Sequence, residues 1–159
     1  MTENRVNQKE CCPRFDPLLW ENKMVVWNNK HFIHQHVRTF MYTPIGFGKA
    51  MRHLDAVAGA HTLPERLCLS DHKSPWEMDL YMAVDNPVQG ADNIDISGNF
   101  FCKVYEGKFR KTGEWMKDFE QSVRDRNVQT TQIYMWYTTC PDCAKKYGKN
   151  YVVILGKTD

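Results

Sequence analysis

The chain lacks any run of the roughly 20 consecutive apolar residues that a membrane helix requires. Its opening stretch, Met1 to Glu10, is polar and has no apolar signal region. A cytoplasmic protein without membrane partners is therefore expected. Excess charge is also missing, since 21 Lys and Arg against 19 Asp and Glu leave a formal +2. The basic residues are spread, and the densest group, Lys145, Lys146 and Lys149, sits beside a turn where it reads as solvated surface. No run forms the electrostatic footprint of a nucleic-acid binder, so no nucleic-acid partner is expected. There is no GxSxG elbow and no phosphate-cradling loop, which removes the commonest sequence marks of serine hydrolases and nucleotide enzymes. Short tandem repeats and low-complexity segments are absent.

What remains is an ordinary globular composition on 159 residues, enough for one domain and a real core. Aromatics are generous, with 7 Tyr, 8 Phe and 5 Trp. Six cysteines in a cytosolic chain argue for free thiols or a metal site over disulfides. Cys140-Pro-Asp-Cys143 has zinc-knuckle spacing, and Cys11-Cys12 would complete four thiolates. Adjacent side chains diverge, however, and chelate one ion poorly, so free thiols and no metal or cofactor are the expectation. His34 and His36 share a strand face but show no third ligand, which leaves them as exposed strand residues. His53, His61 and His72 lack metal spacing.

The chain runs twice through one order of elements. His31 to Tyr42 alternates as a strand. Phe47, Ala50, Met51, Leu54, Val57 and Ala58 fall on one helical stripe that Gly59 ends. Leu67 to Asp71 and Trp76 to Val84 are strands. The second pass begins with Phe100 to Glu106, broken by Gly107. A helix capped by Thr112 follows, with Trp115, Met116, Phe119 and Val123 on one side. Thr130 to Thr138 and Tyr151 to Leu155 close the chain as strands. Asp85 to Gly98 reads as a connector that Ile94 and Ile96 can extend into a strand. The expected organisation is a residue 1–29 arm packing on the body, then one 30–159 domain. Its βαββ repeats cover 30–86 and 98–159.

The tandem βαββ order resembles the GyrI-like family, the ligand-binding part of BmrR-type and Rob-type regulators. So does the stretch Val104-Tyr105-Glu106-Gly107-Lys108-Phe109 before the Trp115 helix. The arm Cys11-Cys12-Pro13-Arg14-Phe15-Asp16-Pro17 and the ending Tyr137-Thr138-Thr139-Cys140-Pro141-Asp142-Cys143 resemble a subgroup of small stand-alone members. The resemblance implies an α+β fold, with two helices on one face of a shared antiparallel sheet. It also implies an aromatic cleft between the halves on the other face. Family members bind lipophilic cations there beside an acidic residue, and some hydrolyse electrophilic cyclopropane-containing natural products. No helix-turn-helix fits before Lys30, so a role in transcription would need a partner.

Alternation assigns the faces. Met78, Leu80, Met82 and Val84 should lie under a helix, leaving Glu77, Asp79 and Tyr81 on the open face. Ile133, Met135 and Tyr137 should lie under the other helix, opposite Tyr134 and Trp136. In the first strand Ile33, Val37 and Met41 read as core, against His36, Arg38, Phe40 and Tyr42. Phe100, Cys102 and Val104 read as core, against Phe101, Lys103 and Tyr105. The expected ligand site is therefore Phe40, Tyr42, Tyr81, Tyr105, Tyr134 and Trp136 around Glu77 and Asp79, on a monomer. Aromatic faces attract cations by about 0.5–2 kcal/mol each. Lipophilic aromatic or cationic small molecules are thus the expected partners. The alternative is a hydrolase of reactive electrophiles using the same carboxylates as general bases. A third reading is a partner that sequesters a protein such as a topoisomerase.

Overall fold

The computed structural model describes residues 14–139 and 145–158. Cys11, Cys12, Cys140 and Cys143, expected as free thiols, lie outside the described residues. The chain forms β1 (Lys23–Phe40), β2 (Thr43–Pro44), α1 (Phe47–Ala58), β3 (Cys68–Ser74), β4 (Glu77–Ala83), β5 (Asn93–Glu106), α2 (Thr112–Asp125), β6 (Gln132–Tyr137) and β7 (Tyr151–Lys157). The class is α+β, and every strand pairing is antiparallel. The strands pair in the order β1-β4-β3-β6-β7-β5, and β5 pairs back onto β1. Six strands thus close a barrel, and β2 hangs on the far end of β1. No helix among the described residues is long and apolar enough to cross a membrane.

Closure is the main departure from the expected open sheet. It depends on β1, which starts at Lys23 and not near His31. Lys23–Trp27 pairs with the middle of β5, Gly98 to Cys102, and Lys30–Ile33 pairs with its start. One extra residue is inserted between Trp27 and Lys30. Asn29 takes a left-handed φ of 52° there, and its N–H donates to Ser97 Oγ at 2.8 Å. A bulge of this kind bends and twists a strand and switches which side chains face inward. Val25 and Trp27 point into the barrel before it, and Phe32 after it.

The helices pack on the outside. Leu54 and Ala58 of α1 cover Ile33, Val37, Met78, Leu80 and Met82, all buried. Trp115, Phe119 and Val123 of α2 cover Phe101, Met135, Val152 and Ile154. Each such large side chain removed from water contributes about 1.5–3 kcal/mol. The space under α2 is tight. A Cβ on Gly156 would stand 2.7 Å from Thr130 Cγ2 and 2.9 Å from Phe119 Cζ.

The barrel interior is a third cluster, with Phe32, Leu69, Ala83, Phe100, Cys102, Trp136, Val153 and Leu155 buried in it. One end is shut by the segment before β1. Phe15 meets Trp136 edge-on at 5.4 Å, and Trp20 does so at 5.1 Å. Glu21 Oε2 accepts from the Val104 N–H at 2.8 Å. The interior therefore opens at the other end, where β4, β5 and β6 begin and β3 and β7 finish.

Candidate functional site at the barrel mouth

Inward-facing positions near the open end carry polar groups where those deeper in the barrel carry apolar ones. On β1 and β4, His34 stands opposite Tyr81, and His36 opposite Asp79. Asp79 also pairs with Asp71 of β3. The Asp79 residue is 8% exposed and has its partners built in. Its Oδ1 accepts from His34 Nε2 at 2.6 Å and from His36 Nδ1 at 3.2 Å. Its Oδ2 lies 3.9 Å from Lys73 Nζ, which is 3.1 Å from Asp71 Oδ2. The second nitrogen of His34 meets Asp92 Oδ2 at 2.7 Å.

These contacts set the charges. Burial works against an ionised Asp79, but the hydrogen bonds from His34 and His36 outweigh it and hold its carboxyl below the usual range. Burial likewise disfavours a charged His34, yet its bonds to Asp79 and Asp92 raise it above an ordinary histidine. The two carboxylates that flank His34 thus favour its charged form. Lys73 is raised by its hydrogen bond to Asp71. Burial, then the Asp79 charge, raises Tyr81. Burial, then the neighbouring Tyr81 and Asp71, pushes Tyr134 up to about 12. Both phenols therefore stay protonated through the neutral range.

A cavity of about 390 Å³ opens at this mouth. Tyr81 and Tyr134 line it, in edge-to-face contact at 6.0 Å, and Ile94, Ile96, Gln132 and Lys157 line its other side. His34 packs on the Tyr81 ring at 5.2 Å, so the polar cluster and the cavity share that tyrosine.

Of the eight residues expected from sequence, the structure brings Asp79, Tyr81 and Tyr134 together in the mouth. Glu77 stands at the rim, its carboxylate 3.9 Å from His36 Nε2. Trp136 faces the same interior but lies at the shut end under Phe15 and Trp20. Tyr105 is corrected to the outside, where it stacks on Trp115 and donates to Asp118 Oδ2 at 2.6 Å. The assignment of β5 was inverted throughout, since Phe100, Cys102 and Val104 point inward. Phe-Phe-Cys-Lys-Val-Tyr is apolar in both phases except at Lys103, so alternation has nothing to select. Lys103 itself lies under α2, with Nζ 2.7 Å from Asp118 Oδ2. Phe40 and Tyr42 extend beyond the last pair with β4 and are exposed, as is Met41, expected in the core.

Sequence reasoning missed His34, Asp71, Lys73, Asp92 and Lys157, and left His36 out of the site. The signal for both histidines was present. Alternation had put His36 on the face of Asp79 and Tyr81, and His34 two positions away shares it. Among the described residues no group of His, Cys, Asp and Glu has the geometry to hold a metal ion.

A family model described as Bacterial hydrolase matches residues 2–158, and the chain belongs to that family. Among curated proteins, none matches.

Proposed function

We propose that this member of the bacterial hydrolase family binds a small electrophilic molecule in the barrel mouth and hydrolyses it there. The observation that carries the proposal is the shared carboxylate oxygen of Asp79, which fixes His34 and His36 at once. Because Asp79 is ionised, His36 Nδ1–H is the donor, which turns Nε2 toward the solvent-exposed rim, 3.9 Å from the Glu77 carboxylate. A carboxylate-oriented imidazole of this kind is suited to take the proton of an attacking water. As the water proton moves to Nε2 the oxygen bonds to the electrophilic carbon, the bond from that carbon to the leaving group breaks with its electron pair staying on the leaving group, and Nε2 passes the proton to that group. Tyr81 and Tyr134 supply neutral O–H donors to the oxygen on which negative charge develops.

Hydrolysis is favoured over simple capture of cations by the state of the carboxylates. Asp79 already has His34, His36 and Lys73 as partners, and Asp71 has Lys73. Both carboxylates are thus already engaged by side chains of the barrel wall, which an incoming cation would have to displace. The reading as two βαββ halves belongs to the same proposal. It is supported by the pairing order β1-β4-β3, which β5-β7-β6 repeats in the second half. The GyrI-like resemblance supplies the first substrate class to try, cyclopropane-bearing electrophiles.

The test follows turnover of such an electrophile, with a chromogenic ester as second probe. His36→Gln should lower kcat/KM by about 10²-fold or more, as for loss of a general base, with an unchanged circular dichroism spectrum. Wild-type turnover of neither probe, together with saturable tryptophan quenching by planar cationic dyes, would replace the hydrolase with a binding module. Full activity in His36→Gln would remove His36 from the mechanism.

A further inference from the structure

We infer that the mouth selects ligands carrying a carboxylate or similar anionic group, seated at Lys157 and Gln132, on a flat apolar body that packs against Tyr81 and Tyr134. The inference rests on the hydrolytic reading of the same mouth and names its substrate class.

Strand geometry places the cation. Val153 and Leu155 point into the barrel, so Lys157, two residues on, takes the same side at the mouth. Gln132 is its direct partner across β6 and β7, on the face of Tyr134 and Trp136. Both line the 390 Å³ cavity with the two tyrosines and with Ile94 and Ile96.

The charge pattern then discriminates between ligands. Each carboxylate on the inner wall and at the start of β5 has a built-in partner. Asp79 holds His34 and His36, Asp71 holds Lys73, Asp92 holds His34, and Asp95 holds His31 at 2.7 Å. Among the described residues no carboxylate lies within ion-pairing distance of Lys157, which is half-buried beside apolar walls. A partly desolvated ammonium that has no carboxylate within ion-pairing distance among the described residues gains most from a ligand that brings one. The Gln132 amide adds a neutral donor beside it, and Ile94, Ile96 and the tyrosine rings supply the apolar walls. A ligand anchored at Lys157 thus extends across the tyrosines toward His36 and Asp79 on the opposite wall. This predicts anion selectivity where aromatic composition alone predicts a preference for cations.

The test uses three probes of one shape, 2-naphthoate, 2-naphthamide and 2-naphthylmethylammonium, titrated into the whole chain and followed by NMR shifts. Naphthoate should bind at least about ten-fold tighter than the ammonium probe, a difference of about 1.4 kcal/mol. Lys157→Gln should bring naphthoate down to the level of the amide while amide binding stays within about two-fold of wild type. Equal or tighter binding of the ammonium probe overturns the inference, as does a preference that survives Lys157→Gln or no binding of any probe. Turnover of the chromogenic ester is measured on the same samples. Charge preference without turnover sinks the hydrolytic reading alone, and turnover without charge preference sinks this inference alone.

Discussion

His34 Nε2 bonds Asp79 Oδ1 on the diagonal of the β1–β4 ladder, because the residue directly opposite Asp79 is His36. One carboxylate oxygen therefore orders two imidazoles that stand two residues apart on a neighbouring strand. Diagonal neighbours in an antiparallel pair are about 7–8 Å apart at the backbone, within reach of side chains as long as these. The arrangement engages both nitrogens of His34 in hydrogen bonds, whereas His36 Nε2 stands at the exposed rim, 3.9 Å from the Glu77 carboxylate.

Stability should follow the protonation of this pair. The raised His34 contributes stability that is fully present below its ordinary value of 6.5 and is lost as pH rises through the higher folded value. The depressed Asp79 contributes stability that is present above 3.8 and is lost as pH falls through the lower folded value. The pair should thus stabilise most between about pH 4 and 6.5. Urea midpoints across pH 3 to 9 should show that plateau in the wild type, and His34→Gln should lose its decline on the alkaline side. An unchanged alkaline decline in the variant would show that another group causes it.

The two carboxylates of β4 should part company. Asp79→Asn leaves the two imidazoles without their anion and should cost about 1–3 kcal/mol, the range for unpairing a buried polar group. Glu77→Gln, at the exposed rim, should stay within about 0.5 kcal/mol of wild type. Chemical denaturation of both variants decides the matter. Equal losses would mean that Glu77 is bound into the structure as firmly as Asp79.

Tyr134 and Tyr105 lie on opposite sides of the barrel wall and give a paired control. Tyr134→Phe removes a mouth hydroxyl and should lower kcat on the chromogenic ester by about ten-fold or more, in keeping with loss of one oxyanion donor. Tyr105→Phe loses its bond to Asp118 outside the barrel and should cost about 1 kcal/mol of stability with turnover unchanged. Reversal of the two turnover results would put the site under α2.

The shut end makes a separate prediction. Trp20→Ala uncovers Trp136 and removes an aromatic pair, which should cost about 1–3 kcal/mol, less than a fully buried ring. It should also shift tryptophan emission to the red. Unchanged emission would mean that Phe15 alone excludes water from Trp136.

Gly156→Ala should destabilise the chain by about 1–3 kcal/mol, as overpacking does. Its Cβ would overlap Thr130 and Phe119 where α2 lies on β7. Thermal unfolding measures it, and a neutral result would show that the Phe119 ring can swing aside.

Much of the fold was legible from period alone. Met78, Leu80 and Met82 alternate with charged or aromatic residues, so only one face of β4 could go under a helix, and that face does. Met135 against Tyr134 and Trp136 worked the same way, as did the stripes of Leu54 and Ala58 and of Trp115, Phe119 and Val123. These are local properties, because side-chain direction within a strand or helix follows from backbone geometry over a few residues. Tertiary structure decided what those faces meet. A strand apolar on both sides, such as β5, has no phase of its own until α2 and the interior claim one face each. Closure through β1 and β5 joins residues about 70 positions apart by a bulge at Asn29 that no pattern marks. That closure turns an expected open cleft into a barrel with one shut end, placing Trp136 under Phe15 and leaving Asp79, Tyr81, Tyr134 and Lys157 at the mouth. Which inward-facing residues become a site depends on depth along the barrel, and depth is set by non-local pairing that local sequence does not encode.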